Sequence, residues 1–507
     1  MNSKTWLALL GATMMGTDGY APAAMGDEAM EKLLGILRAR GSITEKEFQE
    51  LSAVSKPATA PVSAAPVLAP TTTTYTSSPL APRAGSLEAR LDEDERQLKK
   101  VEGELKDQQK SLLRLKEITD GTSPALVSTA LKGKWYERVR LSGYTQFRYS
   151  KTFSKEGPEL NVPNDRSATP TESLLIRRGR MVVSGDISDH LFMYTQADLA
   201  AGVGAADLAV QMRDMYGDIS IDKDKEFRFR LGQSKVPYGW VNLQSSQNRA
   251  PLERPDAINS AAEGERDLGA YFMWAPKEVR ERFRDLVRLG LKGSGDYGVV
   301  AVGAYSGQGL NRSDLNGEPH VLARLSYPFK LDSGQFFELG VQGYHGRFVS
   351  PTTPIKPEAI TFTPTQPVKG RADQRVGVSA IWYAQPFGIE AEYNIGRGPQ
   401  LAKDFTAIES ASLHGGYVQL NYRKEQHGSV WYPFTRWNYY DGGRKFGANA
   451  PRSIINEWEI GLEFSPWREV EITAVFTHSF ERTNTRLFPY NKTENADRLG
   501  LQVQWNY

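Results

Sequence analysis

From residue 138 to the last residue, apolar side chains recur on every second position, and this period of two constrains the fold more than any other feature. In the closing stretch RLGLQVQWNY (498–507), Leu499, Leu501, Val503, Trp505 and Tyr507 alternate with Arg498, Gln502, Gln504 and Asn506. A strand turns successive side chains to opposite faces, so this segment has one apolar face and one polar face. The same alternation governs RVRLSGYTQFRY (138–149), LFMYTQADL (191–199), EFRFRLG (226–232), FELGVQGY (337–344), GYVQLNYR (416–423) and NEWEIGLEF (456–464). Alternation by itself fits a sheet packed on a second sheet as well as a sheet packed on lipid.

Loop lengths separate these two cases. Strands are expected at 138–149, 174–185, 190–200, 211–222, 226–235, 268–276, 296–305, 319–328, 335–347, 372–383, 387–397, 413–424, 429–440, 453–464, 469–480 and 496–507. Their connections alternate in length. Long ones (150–173, 236–267, 348–371, 398–412, 441–452, 481–495) are polar, whereas Ile187-Ser188-Asp189, Lys223-Asp224-Lys225, Gln385-Pro386 and Pro466-Trp467-Arg468 are tight turns. That rhythm predicts an all-β transmembrane barrel of 16 antiparallel strands, and Greek-key sandwiches do not keep it. RDLVRLGLKG (284–293) also alternates, but counting it would make the strand number odd and reverse the loop phase, so it is assigned to a longer inner turn. Pairing the last strand with the first removes the exposed edge. A last strand that is apolar outward and ends in an aromatic also resembles the C-terminal signal read by the barrel-assembly machinery. Trp240, Trp274, Trp382, Trp431, Trp437, Trp458, Trp467 and Trp505 lie near expected strand ends, where interfacial girdles form.

Before residue 135 the pattern is different. Lys4, the apolar run Trp6 to Met15 and Ala21-Pro22-Ala23-Ala24 read as a signal peptide over 1–24, with a buried N-terminal helix as the alternative. Residues 25–55 contain two short helical patterns broken at Arg40-Gly41-Ser42, and Thr44 with Glu47 forms a capping box. This piece resembles the SHOCT-type helical hairpin, and an ordinary exposed hairpin fits it as well. Residues 56–85, rich in Ala, Pro, Ser and Thr, read as a linker. Over 86–119, Leu91, Leu98, Leu105 and Leu112 recur at intervals of seven, with Leu87, Val101 and Leu115 completing an α-helical coiled-coil seam that Asp94 and Gln108 interrupt. Self-association, first as a homotrimer, is expected, and an amphipathic helix lying on the chain's own surface is the alternative. An exported barrel places residues 135–507 in the bacterial outer membrane, in contact with its lipid, and the N-terminal region in the periplasm. There the coiled coil would reach peptidoglycan or a periplasmic partner.

Composition removes several function classes. With 62 Lys+Arg against 60 Asp+Glu the net charge is +2, so no nucleic-acid partner is expected. Cysteine is absent, which removes thiol catalysis and Cys-ligated metals. His190, His320, His345, His414, His427 and His478 match no metal spacing, Gly202 and Gly204 form a lone G-x-G, and no G-x-S-x-G occurs. No enzyme, cofactor or metal is expected.

RLSGYTQFRY, LLIRRGRMVVSGDISDHLFMYTQADL, MRDMYGDISID and FRLGQSKVPYGWVNLQSSQNRAPLERPDA follow one another in an order and spacing that resemble the phosphate-selective porin O and P family. GQSKVPYG with Leu252-Glu253-Arg254 is the most specific part, and the resemblance is strong over about 140 to 275. It implies a sixteen-stranded, commonly trimeric barrel whose third outer loop folds inward, and an outer-membrane porin with a water-filled channel for passive diffusion of small polar solutes, anions such as phosphate among them. The different-class alternative is a structural envelope protein that tethers the membrane to the cell wall.

If lipid lies outside, the polar face lines water, because a charge on the lipid face near the midplane costs about 2–4 kcal/mol. Strand phase then names the pore-lining, anion-binding candidates: Arg138, Arg140, Arg148, Arg178, Arg180, Arg228 and Arg230, with Lys235 near a strand end. Guanidinium forks suit oxyanions, although each of these arginines equally suits a neighbouring lumen carboxylate. Glu390, Glu392, Glu457, Glu459, Glu463 and Glu471 fall on the same polar face and form an opposing acidic wall. In the inward loop, Arg249, Glu253, Arg254, Asp256, Glu263, Glu265, Arg266 and Asp267 mix signs, and Arg249, Glu253, Arg254 and Asp256 are the constriction candidates.

Overall fold

The computed structural model describes residues 135–154, 172–200, 210–355, 361–484 and 491–507. The expected signal peptide, hairpin, linker and coiled coil lie outside the described residues. After a 3-10 turn at Trp135–Arg138, the strands are β1 (Val139–Ser154), β2 (Glu172–Asp186), β3 (Leu191–Asp198), β4 (Gln211–Ser220), β5 (Phe227–Lys235), β6 (Arg266–Trp274), β7 (Val300–Tyr305), β8 (His320–Lys330) and β9 (Phe336–Phe348). They continue with β10 (Arg371–Trp382), β11 (Phe387–Leu401), β12 (Ile408–Tyr422), β13 (Lys424–Gln426), β14 (Ser429–Gly443), β15 (Arg452–Trp467), β16 (Val470–Asn484) and β17 (Asn491–Asn506). Each pairs antiparallel with its neighbours, and β17 pairs with β1, so the sheet is closed. The three-residue β13 prolongs the β12–β14 hairpin, which leaves sixteen staves, the expected number.

Alternation produces the sorting. On β17, Leu501, Val503 and Trp505 are exposed on the outer face, while Gln502 and Gln504 are buried inside. Thr145 lies opposite Trp505 and Phe147 opposite Val503 across the closing seam. At its end, the Gly143 N–H donates to the Tyr507 carbonyl at 2.7 Å and the Tyr507 N–H donates back at 3.0 Å. A Cβ at Gly143 would sit 2.5 Å from the Tyr507 ring, so glycine gives the terminal aromatic its place.

The wall is uneven in height. β1, β15 and β17 have 16 residues each, whereas β3 has 8 and β7 has 6. β7 starts at Val300 rather than near 296 because Asp296 accepts the Gly298 N–H at 3.1 Å, and Gly298, at φ 80°, turns the chain first. Segment 284–293 is no strand. It contains the end of helix α3 (Lys277–Arg288), which follows two one-turn helices, α1 (Trp240–Leu243) and α2 (Asp256–Asn259), in the β5–β6 loop. Val279, Phe283 and Leu286 recur at helical spacing and are the buried face of α3, a period that the two-fold alternation of RDLVRLGLKG hides.

Three of the eight tryptophans depart from the girdle. Trp240 is 1% exposed and sits inside the barrel, where it packs with Ile258, Phe283, Ile381 and Tyr417. Trp437 and Trp458 face outward opposite each other, well within β14 and β15 rather than at their ends, with ring centroids 6.2 Å apart.

Candidate functional site in the barrel lumen

The β5–β6 loop (236–265) lies within the barrel and touches several of its walls. Its Glu253 meets the basic wall: Oε1 accepts from Arg148 Nη1 at 2.8 Å and Arg177 Nε at 2.8 Å, and Oε2 from Arg178 Nη2 at 2.9 Å. Burial would push this carboxyl up, but Arg177, Arg178 and Arg148 outweigh burial and hold it well below the usual carboxylate range. Arg148 is fully buried and also binds Gln502 Oε1 through Nε (3.1 Å) and Nη2 (2.8 Å). Strict alternation would send Arg177 to the lipid. A register shift between Gln146 and Phe147 instead brings both Arg177 and Arg178 inside, and the doubled arginine of IRRGR is the only sequence sign of it.

The loop's other end is held by acids. Glu392 accepts the backbone N–H groups of Trp240 and Val241, at the start of α1, at 2.7 and 2.8 Å. The Trp240 indole donates to Glu338 at 3.2 Å, as does Tyr383 OH at 2.6 Å; Glu338 is fully buried on β9 and was missed by the sequence reading because only one acid marks that strand. Arg375 donates to the Ala257 carbonyl (3.3 Å) and Ser260 Oγ (2.8 Å), and Asn394 to the Ala257 carbonyl (3.0 Å). Hydrogen bonds to charged groups contribute about 1.5–3 kcal/mol each, so the loop is tied at many points to rigid strands.

From the opposite end of the barrel the β6–β7 turn (275–299) also enters. Lys292 Nζ reaches Glu463 on β15 at 2.7 and 2.9 Å, and its carbonyl accepts from Gln244 of the β5–β6 loop at 2.7 Å. Asp296 joins Arg228 of β5 (2.6 Å) to Arg280 of α3 (2.8 Å). Loop and turn meet in one apolar core of Trp240, Val241, Ile258, Val279, Phe283 and Leu286.

The remaining candidates fall into place as follows. Arg180 faces Asp198 at 3.4 Å, and Arg230 binds Asp218 through two hydrogen bonds of 2.7 and 2.8 Å. Arg138 is part-buried and donates to the Ile187 carbonyl of a short turn at 3.0 Å, and Arg140 is exposed at the same end of β1. Lys235 donates to the Leu243 and Gln244 carbonyls at 2.8 and 3.0 Å, which makes it a brace for the loop and not a free lumen cation. Arg249 donates to the carbonyls of Pro251 (2.9 Å) and Leu252 (2.6 Å), and Arg254 to those of Val241 (2.9 Å) and Gln244 (2.6 Å) and to Glu265 (2.7 Å). These two constriction candidates therefore hold the loop's own shape. Asp256 opens α2 and is half-buried. On the acidic wall, Glu390 accepts from Asn421 at 2.7 Å, Glu457 from Asn438 at 3.0 Å and Glu471 from Asn506 at 3.2 Å, while Glu459 pairs with Arg436.

The family model described as Phosphate-selective porin O and P matches residues 159–507, beyond the stretch where the sequence resemblance is strong. Among solved structures, the trimer form of the outer membrane protein OmpT of Vibrio cholerae matches over 73% of this chain and 99% of its own, at 9% identity and a TM-score of 0.46. The outer membrane channel DcaP of Acinetobacter baumannii matches over 73% and 97%, at 13% identity and a TM-score of 0.44. An anion-selective porin from Comamonas acidovorans matches over 73% and 99%, at 10% identity and a TM-score of 0.41. No curated protein matches the chain. With the family model spanning every stave but the first, the chain belongs to the phosphate-selective porin O and P family of outer-membrane barrels.

Proposed function

We propose that the chain forms a passive diffusion channel for small polar solutes across the outer membrane. The observation that carries this reading is the sorting of the wall: arginines, carboxylates and amides turn inward on nearly every stave, apolar residues turn outward, and a long loop narrows the interior. Some of these charges brace the loop and the turn, and a wall of polar and charged groups behind an apolar coat also suits a water-filled path for polar solutes.

Anions such as phosphate are admitted by this reading, with weak selectivity. Arg148, Arg178, Arg180, Arg228 and Arg230 each have a carboxylate within 3.4 Å, which leaves little free positive charge on that side. A homotrimer, barrel-assembly recognition of β17, and the N-terminal divisions 1–24, 25–55, 56–85 and 86–119 with their periplasmic placement belong to the same proposal and rest on sequence patterns. Conductance and reversal potential in a planar bilayer under a KCl gradient, with phosphate then added on one side, test it. Open channels with a small reversal potential and slight phosphate block are expected. Folded barrels that never conduct would remove the channel reading, and a strongly anion-selective potential with deep phosphate block would remove the weak-selectivity part.

A further inference from the structure

We infer that solutes cross the barrel along one side, the wall of β14–β17, where Arg436, Glu457, Glu459 and Arg498 set charge selectivity and Leu252 sets the width. This rests on the channel reading and names its selective residues, none of which lies on the arginine-rich strands β1–β6 that the sequence singles out.

Along β6 to β12, among the described residues, the interior is filled by apolar side chains. The apolar core shared by α1, α2 and α3 abuts Phe336, Ile381 and Tyr417 of β9, β10 and β12, and a second core packs Tyr238 with Tyr271, Tyr305 and Tyr344. Close-packed apolar contacts of this kind leave no room for water.

On the β14–β17 side, by contrast, two cavities are stacked along the wall. The outer one, of about 240 Å³, lies between Asp256 and Ser260 of the loop and Tyr440, Arg444, Lys445 and Ile455. Tyr440 lies opposite Ile455, one inward-facing step beyond the Asn438–Glu457 pair and two beyond Arg436–Glu459. The inner cavity, of about 10 Å³, lies between Leu252 and Glu253 of the loop and Glu459, Thr477, Arg498 and Gly500 of the wall. That is room for about one water.

Register sets the charges side by side. Arg436 is opposite Glu459, Glu459 opposite Thr477, and Thr477 opposite Arg498, so they are neighbours in one row that crosses the four strands. Glu457 lies one inward step away, with its Oε2 4.0 Å from Arg498 Nη2. Arg436 is 1% exposed, pairs with Glu459 through Nη2, and keeps Nε and Nη1 without a protein acceptor. Buried donors left over in this way call for water or a solute to accept from them.

Beside this row Leu252 forms a neck. A Cβ at Gly500 would lie 2.5 Å from Leu252 Cδ1, and Ala250, Tyr432, Phe434 and Val475 complete the apolar contact. Two carboxylates and two guanidiniums balance around the charged row, so removing one of them tips the field that a passing ion meets at low dielectric. Arg148, Arg177 and Arg178 hold Glu253 and thereby the loop edge that carries Leu252.

The chain has no cysteine, so single thiols can be placed cleanly. In bilayer recordings, a charged methanethiosulfonate reagent should remove most of the current through Thr477→Cys. It should leave Ser326→Cys, buried under Glu338 on β8, unaffected. Glu459→Gln should move the reversal potential toward anions, Arg436→Gln toward cations, and Leu252→Ala should raise conductance. Because either glutamine variant removes one partner of the buried Arg436–Glu459 pair, which folding also uses, the two thiol variants keep the test independent of them. Modification that blocks Ser326→Cys but spares Thr477→Cys, or a larger shift from Arg230→Gln than from Glu459→Gln, overturns the path. Wild-type barrels that do not conduct overturn instead the channel reading on which it stands.

Discussion

Glu253 accepts from three arginines of β1 and β2 and so joins the inward loop to the wall. Replacing it with Gln would leave those guanidiniums buried without their anion, a change that costs about 3–5 kcal/mol when a buried pair is broken. We expect Glu253→Gln to lower the thermal unfolding temperature and to expose 236–265 to protease, measured on refolded barrels. The pH dependence has a definite sign. The native carboxyl is held below its ordinary value of 4.5, so its contribution is complete above that value and is lost as pH falls from there through the depressed native value. Protease cleavage of the wild-type loop should therefore stay flat from pH 8 to 5 and rise only under stronger acid; a rise already between pH 7 and 5 would count against Glu253 as the latch. Arg177 shows why one residue's side could not be read from alternation: a single register shift in β2 moved it from the lipid face to the lumen.

Among the elements, α3 and the turn that follows it are the least expected. The helix presents Val279, Phe283 and Leu286 to the interior and Glu278, Glu281, Arg284 and Arg288 away from it. Truncating Phe283 to Ala removes its contacts with the core shared by loop and turn and costs about 3–5 kcal/mol at a buried aromatic. Urea unfolding should show that loss, and the bilayer current should become larger or noisier as the turn loosens. A variant with unchanged stability would show that α3 does not brace the lumen. Strand phase gives a second test at this scale. Ile460→Lys puts a charge on the lipid face and should cost about 2–4 kcal/mol in liposome refolding, while Ser479→Lys, on the inner face of β16, should cost less. Equal costs would mean that the faces are assigned wrongly.

For the molecule as a whole, closure is the decisive contact. Deleting 503–507 removes the pairs Val503–Phe147, Gln504–Gln146 and Trp505–Thr145 and leaves an open edge on β1. The truncated chain should fail to give the folded, heat-modifiable band on gels that the full chain gives; a normal band would show that β17 closes without its last residues.

The sequence alone determined the number of staves, the face of most wall residues and the long-short order of the connections, because a period of two and a turn signal are local properties of a few neighbouring residues. Strand boundaries were legible for the same reason, to within a few residues on most staves. Tertiary structure alone decided what the interior loops touch. Lys235, Arg249 and Arg254, whose positions suggest charges for the pore, bind the loop's own carbonyls, Trp240 sits in the core and not in the girdle, and the inner turn that includes 284–293 carries a helix. Those outcomes depend on partners far away in the chain, as Arg148 depends on Gln502, 354 residues distant, and on Glu253, 105 residues distant. A charge on a polar face takes whichever counter-ion the closed barrel brings within reach, and only the closed barrel sets that distance.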